Sequence, residues 1–247
     1  MRLSVGLLVG ALAALSAHAQ QSALTSESPA RPPVGQGVDG DWAYVARYHD
    51  ANRPLNAKAA PKRVVFMGDS ITEGWGRQPF IKDNPSYVGR GISGQTSPQM
   101  LVRFRSDVLA LKPAVVHIMA GTNDIAQNTG HEAPEDMEGY IKDMVELALD
   151  NHVKVVLASI LPSKDFWWHR GLEPAPQIRA FNGWLREYAA ERGLVYVDYW
   201  SALTTPDGSM RPEFSADEVH PDQAGFEAMR PLAEAAIQAA LRGRPQR

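Results

Sequence analysis

The apolar residues of this 247-residue chain fall into five short runs, separated by longer segments with helical periodicity. Short apolar runs rich in Val and Ile are typical of strands buried on both faces. The sequence therefore predicts five strands, at Arg63–Met67, Tyr87–Ile92, Val115–Met119, Val153–Ala158 and Leu194–Val197.

The intervening segments place apolar residues three or four positions apart, which predicts helices. They run from Ser97 to about Leu111, Pro134 to about Asn151, Pro176 to Arg192 and Pro221 to Leu241. Strands that alternate with helices form βαβ units, in which the strands are parallel and helices cover both faces of the sheet. We therefore predict an α/β fold of one domain, with a five-stranded parallel sheet.

Residues 1–19 have the features of a cleaved secretory signal peptide. Arg2 supplies positive charge, residues 3–15 are nearly all apolar, and Ala17-His18-Ala19 fits the small-x-small site of signal peptidase. The apolar run is too short to span a bilayer comfortably. We predict that the mature protein starts at Gln20, is secreted or periplasmic and has no stable membrane association; an uncleaved membrane anchor is the alternative.

Residues 20–61 are predicted to form a flexible spacer and a short helix. Gln20–Gly40 is rich in Ser, Pro, Gly and Gln, a composition typical of flexible linkers. Asp41 then suits the cap of a short helix. The folded domain is predicted to span residues 62–242, followed by a tail at 243–247.

The composition excludes several classes of site and partner. The chain has no cysteine, which removes disulfides, thiolate nucleophiles, cysteine metal ligands and a lipoprotein anchor. Its net charge of -3 gives no reason to expect a nucleic acid partner. The cluster around His131, Glu132, Glu135 and Asp136 is interpreted as a charged helix start. We expect no metal and no cofactor, and the sequence leaves the oligomeric state open.

Three of the predicted strands end in polar turns. Ser70 follows the first strand after Gly68 and Asp69, Gly94 follows the second strand, and Asn123 follows the third. In the common doubly wound order 2-1-3-4-5 these turns are neighbours at the carboxyl edge of the sheet, where ligands bind. Ser70 is then a candidate nucleophile, and the N–H groups of Ser70 and Gly94 with the Asn123 amide are candidate donors to an oxyanion. The alternative is that Ser70 only caps the following helix.

The segment Asp217-Glu218-Val219-His220-Pro221 contains the base and the orienting group that a serine nucleophile needs. Asp217 and His220 are three residues apart, so both would lie on one side of a helical turn. Asp217 would then hold Nδ1–H of His220 while Nε2 faces Ser70. The alternative is that Asp217 caps this turn and that His220 is a surface residue.

Four motifs occur together in the order that characterises one enzyme family. They are Gly68-Asp69-Ser70-Ile71, Gly91-Ile92-Ser93-Gly94, Gly121-Thr122-Asn123-Asp124 and Asp217-Glu218-Val219-His220-Pro221. Over roughly residues 62–242, the chain resembles the SGNH (GDSL) hydrolases, notably their acetylhydrolase and carbohydrate acetylesterase branches. Ile71 replaces the Leu of the GDSL name, and Ser93 stands where a close branch often has Gly; neither residue carries the chemistry.

The resemblance implies a flavodoxin-like three-layer α/β/α fold and the hydrolysis of carboxylic esters without a metal. It implies that Ser70 is the nucleophile, His220 the base and Asp217 the group that orients it. Ser70, Gly94 and Asn123 would be the oxyanion donors. The implied substrate is a small-molecule or glycan ester.

Trp167 and Trp168 are candidate substrate contacts. They lie in Phe166-Trp167-Trp168-His169-Arg170, after the fourth predicted strand, and therefore at the carboxyl edge of the sheet. Aromatic side chains there would stack on a sugar or an acyl chain; equally, they would cover the edge of the core. His117 lies inside an apolar strand and is predicted to be a core residue.

We predict a secreted serine esterase that removes short acyl groups, above all acetyl, from carbohydrate. No segment of the mature chain has the pattern of an apolar lid or an amphipathic membrane helix, which an enzyme at a lipid surface would favour. A lysophospholipase or thioesterase, an acyltransferase on the same site, and a non-catalytic carbohydrate-binding protein are the alternatives.

Overall fold

The computed structural model describes residues 37, 40–56, 60–243 and 246. The predicted signal peptide and most of the predicted spacer lie outside these residues. None of the helices in this part of the chain has the length and hydropathy that a membrane span requires.

Five parallel strands form one sheet in the described part of the chain. They are β1 (Val64–Gly68), β2 (Tyr87–Gly91), β3 (Val115–Met119), β4 (Lys154–Ala158) and β5 (Val195–Val197). The strands pair in the order β2-β1-β3-β4-β5, and every pair is parallel. The predicted α/β fold and strand order are thus confirmed, and β1 lies between β2 and β3.

Helices connect the strands and cover the sheet. They are α1 (His49–Asn56), α2 (Ser70–Trp75), α3 (Pro79–Lys82), α4 (Ser97–Asp107), α5 (Thr122–Ile125), α6 (Pro134–Asp150), α7 (Pro174–Glu191), α8 (Tyr199–Leu203) and α9 (Gln223–Arg242). The long helices match the predicted segments to within a few residues. The sequence predicted a helix after Ser70, where α2 lies, but it did not predict α3, α5 and α8, because helices of five residues or fewer are too short to show a period.

Alternate residues of each strand face opposite layers of helices, as the pleat of a strand requires. Val65 and Met67 of β1 belong to a core cluster with residues of α4, α6 and α7, whereas Val64 and Phe66 belong to a second cluster with α2, α3, α8 and α9. Every residue of β1 is buried. Enclosure on both faces explains why β1 has no polar side chain.

Residues 40–56 pack against the domain through a buried amide. Asn52 of α1 accepts hydrogen bonds from Nε and Nη2 of Arg90 at 2.9 and 2.7 Å. Its Nδ2 donates to Oδ1 of Asp107 at 2.7 Å. These bonds attach α1 to β2 and α4, so the short N-terminal helix is part of the folded body.

Two glycines allow α2 to approach the ends of β1 and β2. A Cβ at Gly91 would overlap the backbone N of Glu73 and lie 2.5 Å from the backbone O of Asp69. A Cβ at Gly68 would overlap the side chain of Thr72. Because Gly68 and Gly91 have no side chain, α2 can lie close to the ends of both strands. This helix carries Ser70, the first candidate site residue.

Candidate active site

Ser70 is the first residue of α2 and stands at the carboxyl end of β1. The side chain of Asp69 caps this helix by accepting a hydrogen bond from the N–H of Ile71 at 2.9 Å. Because Asp69 is the cap, the Ser70 hydroxyl is left for another partner. Burial raises the pKa of the Asp69 carboxyl to about 6.

The side chains of Ser70, His220 and Asp217 form a continuous chain of hydrogen bonds. Oγ of Ser70 lies 2.8 Å from Nε2 of His220, and Nδ1 of His220 lies 2.7 Å from Oδ2 of Asp217. An ionised carboxylate only accepts hydrogen bonds, so Nδ1 carries the proton and Nε2 accepts from the Ser70 hydroxyl. The geometry suits transfer of the Ser70 proton to His220.

The turn that carries Asp217 and His220 is not helical, in contrast to the prediction. Asp217 shapes it: its Oδ1 accepts hydrogen bonds from the N–H groups of Val219 at 3.0 Å and His220 at 2.7 Å. Partial burial acts to raise the pKa of Asp217, but these bonds and the His220 ring hold it below its ordinary value. Asp222 then caps α9, which begins at Gln223 and therefore later than predicted.

Gly94 and Asn123 lie on the two turns that flank Ser70. Gly94 has a φ of +78°, a backbone conformation that favours glycine. Asn123 is buried, and its Nδ2 donates one hydrogen to the backbone O of Gln95 at 3.0 Å. Among the described residues, the second Nδ2 hydrogen and the N–H groups of Ser70 and Gly94 have no acceptor.

One cavity of about 430 Å³ brings these groups together. It is lined by Ser70, Ser93, Gly94, Asn123, Asn128, Trp167, Trp168 and His220. Its volume is in the usual range for a small-molecule site. Every predicted site residue except Asp217 therefore lines the cavity. Asp217 is hydrogen-bonded to His220, which does line it.

The aromatic segment after β4 divides between the core and the cavity. Phe166 is fully buried, whereas Trp167 is 57% exposed. The ring of Trp168 lies 6.4 Å from that of His220, and its Nε1 donates to Oδ1 of Asn128 at 2.9 Å. Of the two roles considered from the sequence, Phe166 covers the core and the two indoles line the cavity.

Arg103 and Asn128 are part of this region, and the sequence predicted neither. Arg103 is fully buried, and it donates to the backbone O atoms of Gly68 at 3.0 Å and Arg90 at 2.8 Å, near the ends of β1 and β2. Asn128 lies in an irregular stretch after α5. Neither residue belongs to a motif, so no local signal identified it.

His117 and Asp124 lie outside the cavity. His117 is a buried core residue, as predicted; its Nε2 is 3.0 Å from the hydroxyl of Tyr199, and burial lowers its pKa to about 3. Asp124 accepts a hydrogen bond from the N–H of Ser97 at 2.9 Å, and burial raises its pKa to about 7. The described residues contain no group of three or more side chains arranged to hold a metal; the absence of a metal in the chemistry stays a prediction.

Comparison with known proteins identifies relatives of this chain. The profile of the GDSL-like lipase/acylhydrolase family matches residues 66–228. The structure of a candidate acylhydrolase from Bacteroides fragilis is 45% identical, with a TM-score of 0.77, and covers 82% of this chain and 99% of that one. An acetylxylan esterase from Geobacillus stearothermophilus is 30% identical over 195 residues, 66% of this chain and 88% of the relative. The lipoprotein YqeF of Bacillus subtilis is 26% identical over 178 residues, 59% of this chain and 73% of the relative.

Proposed function

Because this chain belongs to the GDSL-like lipase/acylhydrolase family, and is therefore a carboxylic ester hydrolase, we propose that it is a secreted serine esterase that removes acetyl groups from carbohydrate. The observation that carries the proposal is the hydrogen-bonded chain from Ser70 through His220 to Asp217, at a cavity lined by two tryptophans. Such a series of hydrogen bonds activates a serine hydroxyl for nucleophilic attack.

In the proposed first half-reaction, Oγ of Ser70 attacks the carbonyl carbon of the ester and its proton passes to Nε2 of His220. The carbonyl electron pair moves to the oxygen, which becomes an oxyanion. Asp217 holds Nδ1–H and stabilises the imidazolium. The intermediate then expels the sugar oxygen, which takes the proton from Nε2 and leaves the acetyl group on Ser70.

In the second half-reaction, water replaces the sugar. Nε2 of His220 takes a proton from the water as its oxygen attacks the acetyl-Ser70 ester. Collapse of the second oxyanion releases acetic acid, which ionises to acetate in solution, and the proton on Nε2 returns to Oγ of Ser70. We assign the stabilisation of both oxyanions to the N–H groups of Ser70 and Gly94 and to Nδ2 of Asn123.

The lining of the cavity is mostly apolar, with polar groups from Ser93, Asn123 and Asn128. A longer acyl chain would gain about 0.8 kcal/mol for each methylene buried there, so the proposed selectivity for acetyl has to be tested by acyl chain length. Aromatic rings such as the exposed indole of Trp167 present an apolar face to a substrate. The acetylxylan esterase among the relatives supports the same substrate class.

The proposed secretion of the protein rests on residues 1–19, whose pattern is that of a signal peptide. The lipoprotein among the relatives supports export. N-terminal sequencing of the exported protein should give Gln20 as the first residue. A mature protein that starts at Met1 would contradict this proposal.

The substrate is tested by kcat/KM for p-nitrophenyl acetate, butyrate and octanoate, together with acetate release from acetylated xylan. We expect the highest kcat/KM for acetate and measurable release from the glycan. A preference for octanoate without acetate release would instead assign a lysophospholipase-type or thioesterase-type enzyme. Product analysis with an added alcohol measures acyl transfer in the same assay.

The nucleophile and base are tested by Ser70→Ala and His220→Ala. Each should lower kcat by about 10⁴-fold or more, because the members of such a triad act as a unit. Circular dichroism should show that both variants are folded. A folded Ser70→Ala protein within tenfold of the wild type would refute the mechanism.

A further inference from the structure

Asn128 is hydrogen-bonded to both turns that flank Ser70 and to Trp168, one of the two tryptophans that line the cavity. Its Nδ2 donates to the backbone O of Gly94 at 3.1 Å and to Oδ1 of Asn123 at 2.9 Å. Its Oδ1 accepts a hydrogen bond from Nε1 of Trp168 at 2.9 Å. One side-chain amide therefore contacts both of the assigned oxyanion donors outside α2.

Three groups of fixed polarity set the direction of these hydrogen bonds: the indole N–H of Trp168, the backbone O of Gly94 and the backbone O of Gln95. An indole N–H only donates, so the Asn128 atom that faces it must be the oxygen, and the nitrogen faces Gly94 and Asn123. That nitrogen in turn requires the oxygen of Asn123 on its side. Nδ2 of Asn123 is thereby turned the other way, where it donates one hydrogen to the backbone O of Gln95 at 3.0 Å.

We propose that Trp168 and Asn128 are positioning residues of the oxyanion hole, which hold the Asn123 amide with its nitrogen, not its oxygen, toward the developing negative charge. The inference rests on the proposed function, which assigns Asn123 and Gly94 as oxyanion donors. A reversed Asn123 amide would present an oxygen to that charge and raise the energy of the transition state. The indole N–H opposes this reversal from two residues away along the hydrogen-bond chain, together with the backbone O atoms of Gly94 and Gln95, which only accept.

The segment that carries Trp168 is anchored firmly enough for this role. Phe166 is fully buried, and Nδ1 of His169 donates to the backbone O of Ala126 at 2.8 Å. The segment therefore has attachments on both sides of Trp168. Hydrogen bonds therefore join Trp168, which lines the cavity, to the groups that we assign to the stabilisation of the transition state.

Trp168→Phe tests the inference, with Trp167→Phe as the matched comparison. Both variants keep an aromatic ring in the wall, but only the first removes an N–H that donates to Asn128. Trp168→Phe should lower kcat about tenfold with little change in KM, a smaller loss than removal of a donor itself. Any effect of Trp167→Phe should fall on KM. A kcat for Trp168→Phe equal to that of the wild type would overturn the inference.

Asn128→Asp and Asn128→Leu separate hydrogen-bond donation from packing. Both remove the two donated bonds, and both should lower kcat by about 10²-fold at pH 8. A protonated carboxyl donates one of the two bonds again, so the loss of kcat relative to the wild type should shrink for Asn128→Asp as the pH falls. For Asn128→Leu the relative loss should not change with pH. Equal, pH-independent losses in two folded variants would indicate a packing role and overturn the inference; if Asn128→Leu does not fold, Asn128→Asp and Trp168→Phe decide.

A trifluoromethyl ketone probes the oxyanion directly, because the Ser70 hydroxyl adds to its carbonyl, its proton passes to His220, and no group leaves. Its inhibition constant should rise in Trp168→Phe in proportion to the loss of kcat/KM, as expected for a transition-state analogue. An unchanged inhibition constant would overturn the inference.

All kinetics use the p-nitrophenyl ester that the wild type hydrolyses fastest, so the result does not depend on the natural substrate. Activity retained by Ser70→Ala would refute the proposed function. A normal kcat in Trp168→Phe would refute only the role of the hydrogen-bond chain.

Discussion

At the scale of single residues, Asn123 offers a direct test of charge stabilisation. One Nδ2 hydrogen binds the backbone O of Gln95, and the other has no acceptor among the described residues. Because that hydrogen would bind charge that develops only in the transition state, Asn123→Ala should lower kcat by about 10²–10³ with little change in KM. Steady-state kinetics measure the effect. A rise in KM alone would make Asn123 a contact of the bound substrate.

His117 gives a stability prediction with a definite sign. Burial lowers its pKa to about 3, whereas the unfolded chain binds a proton below about pH 6.5. Between these values the unfolded state holds more protons, so His117 makes the protein less stable as the pH falls. His117→Gln cannot titrate. The free energy of unfolding of the wild type minus that of the variant should therefore decrease by about 2 kcal/mol from pH 7 to pH 5.

Urea unfolding of both proteins at the two pH values measures this difference. Asp69 and Asp124, whose pKa values are raised by burial, oppose the trend because stability falls as the pH rises through their range. They titrate in both proteins and cancel in the subtraction. A difference that does not change with pH would show that His117 is not held neutral.

The sequence predicts those site residues that belong to a short sequence motif. Ser70 and His220 each have neighbours of defined type and spacing. Arg103 and Asn128 are recognised only by their contacts: Arg103 donates to the backbone O of Gly68, 35 positions earlier in the chain. A contact between distant segments leaves no local pattern, so these residues appear only in the folded structure.

At the scale of elements, the contact between α2 and the strand ends can be tested at Gly91. A Cβ there would overlap the backbone of Glu73 in α2, and backbone atoms cannot move aside without shifting the helix. Gly91→Ala should reduce the free energy of unfolding by about 1–3 kcal/mol. It should also lower kcat, because α2 carries Ser70. Thermal unfolding and esterase kinetics measure the two effects.

Gly139→Ala is the matched control for this substitution. Gly139 lies inside α6, and a Cβ there would meet nothing within 4 Å. Alanine in a helix interior is more favourable than glycine, so this variant should gain about 0.5–1 kcal/mol. The two glycines should therefore respond with opposite signs. Stabilisation by Gly91→Ala would contradict the close packing of α2.

Long elements are predictable from this sequence, and short ones depend on their surroundings. The central strands β1 and β3 are buried along their whole length, so their apolar runs mark them clearly. Asp41 accepts hydrogen bonds from the N–H groups of Val45 and Ala46, but the helix it starts is a 3-10 turn, Val45–Tyr48, ahead of α1. The Asp217 turn likewise depends on one carboxylate rather than on helical periodicity.

At the scale of the whole molecule, the sheet brings together turns from its entire length. Ser70, Gly94 and Asn123 follow β1, β2 and β3, the aromatic segment follows β4, and His220 precedes α9. The strand order predicted from the sequence already makes the first three turns neighbours. The angle at which the last two segments cover the cavity could not be predicted, because it depends on packing between both layers of helices.

The separation of Ser70 and His220 by 150 positions has a consequence for the timing of activity. Closing a loop of this length costs entropy that later contacts must offset, so such pairings form late in folding. The nucleophile and its base would meet only when the last segment docks. After dilution from denaturant, esterase activity should return with the slowest phase of tryptophan fluorescence and never ahead of it. A partly folded chain would then have no esterase activity, and the enzyme would begin to hydrolyse esters only once its fold is complete.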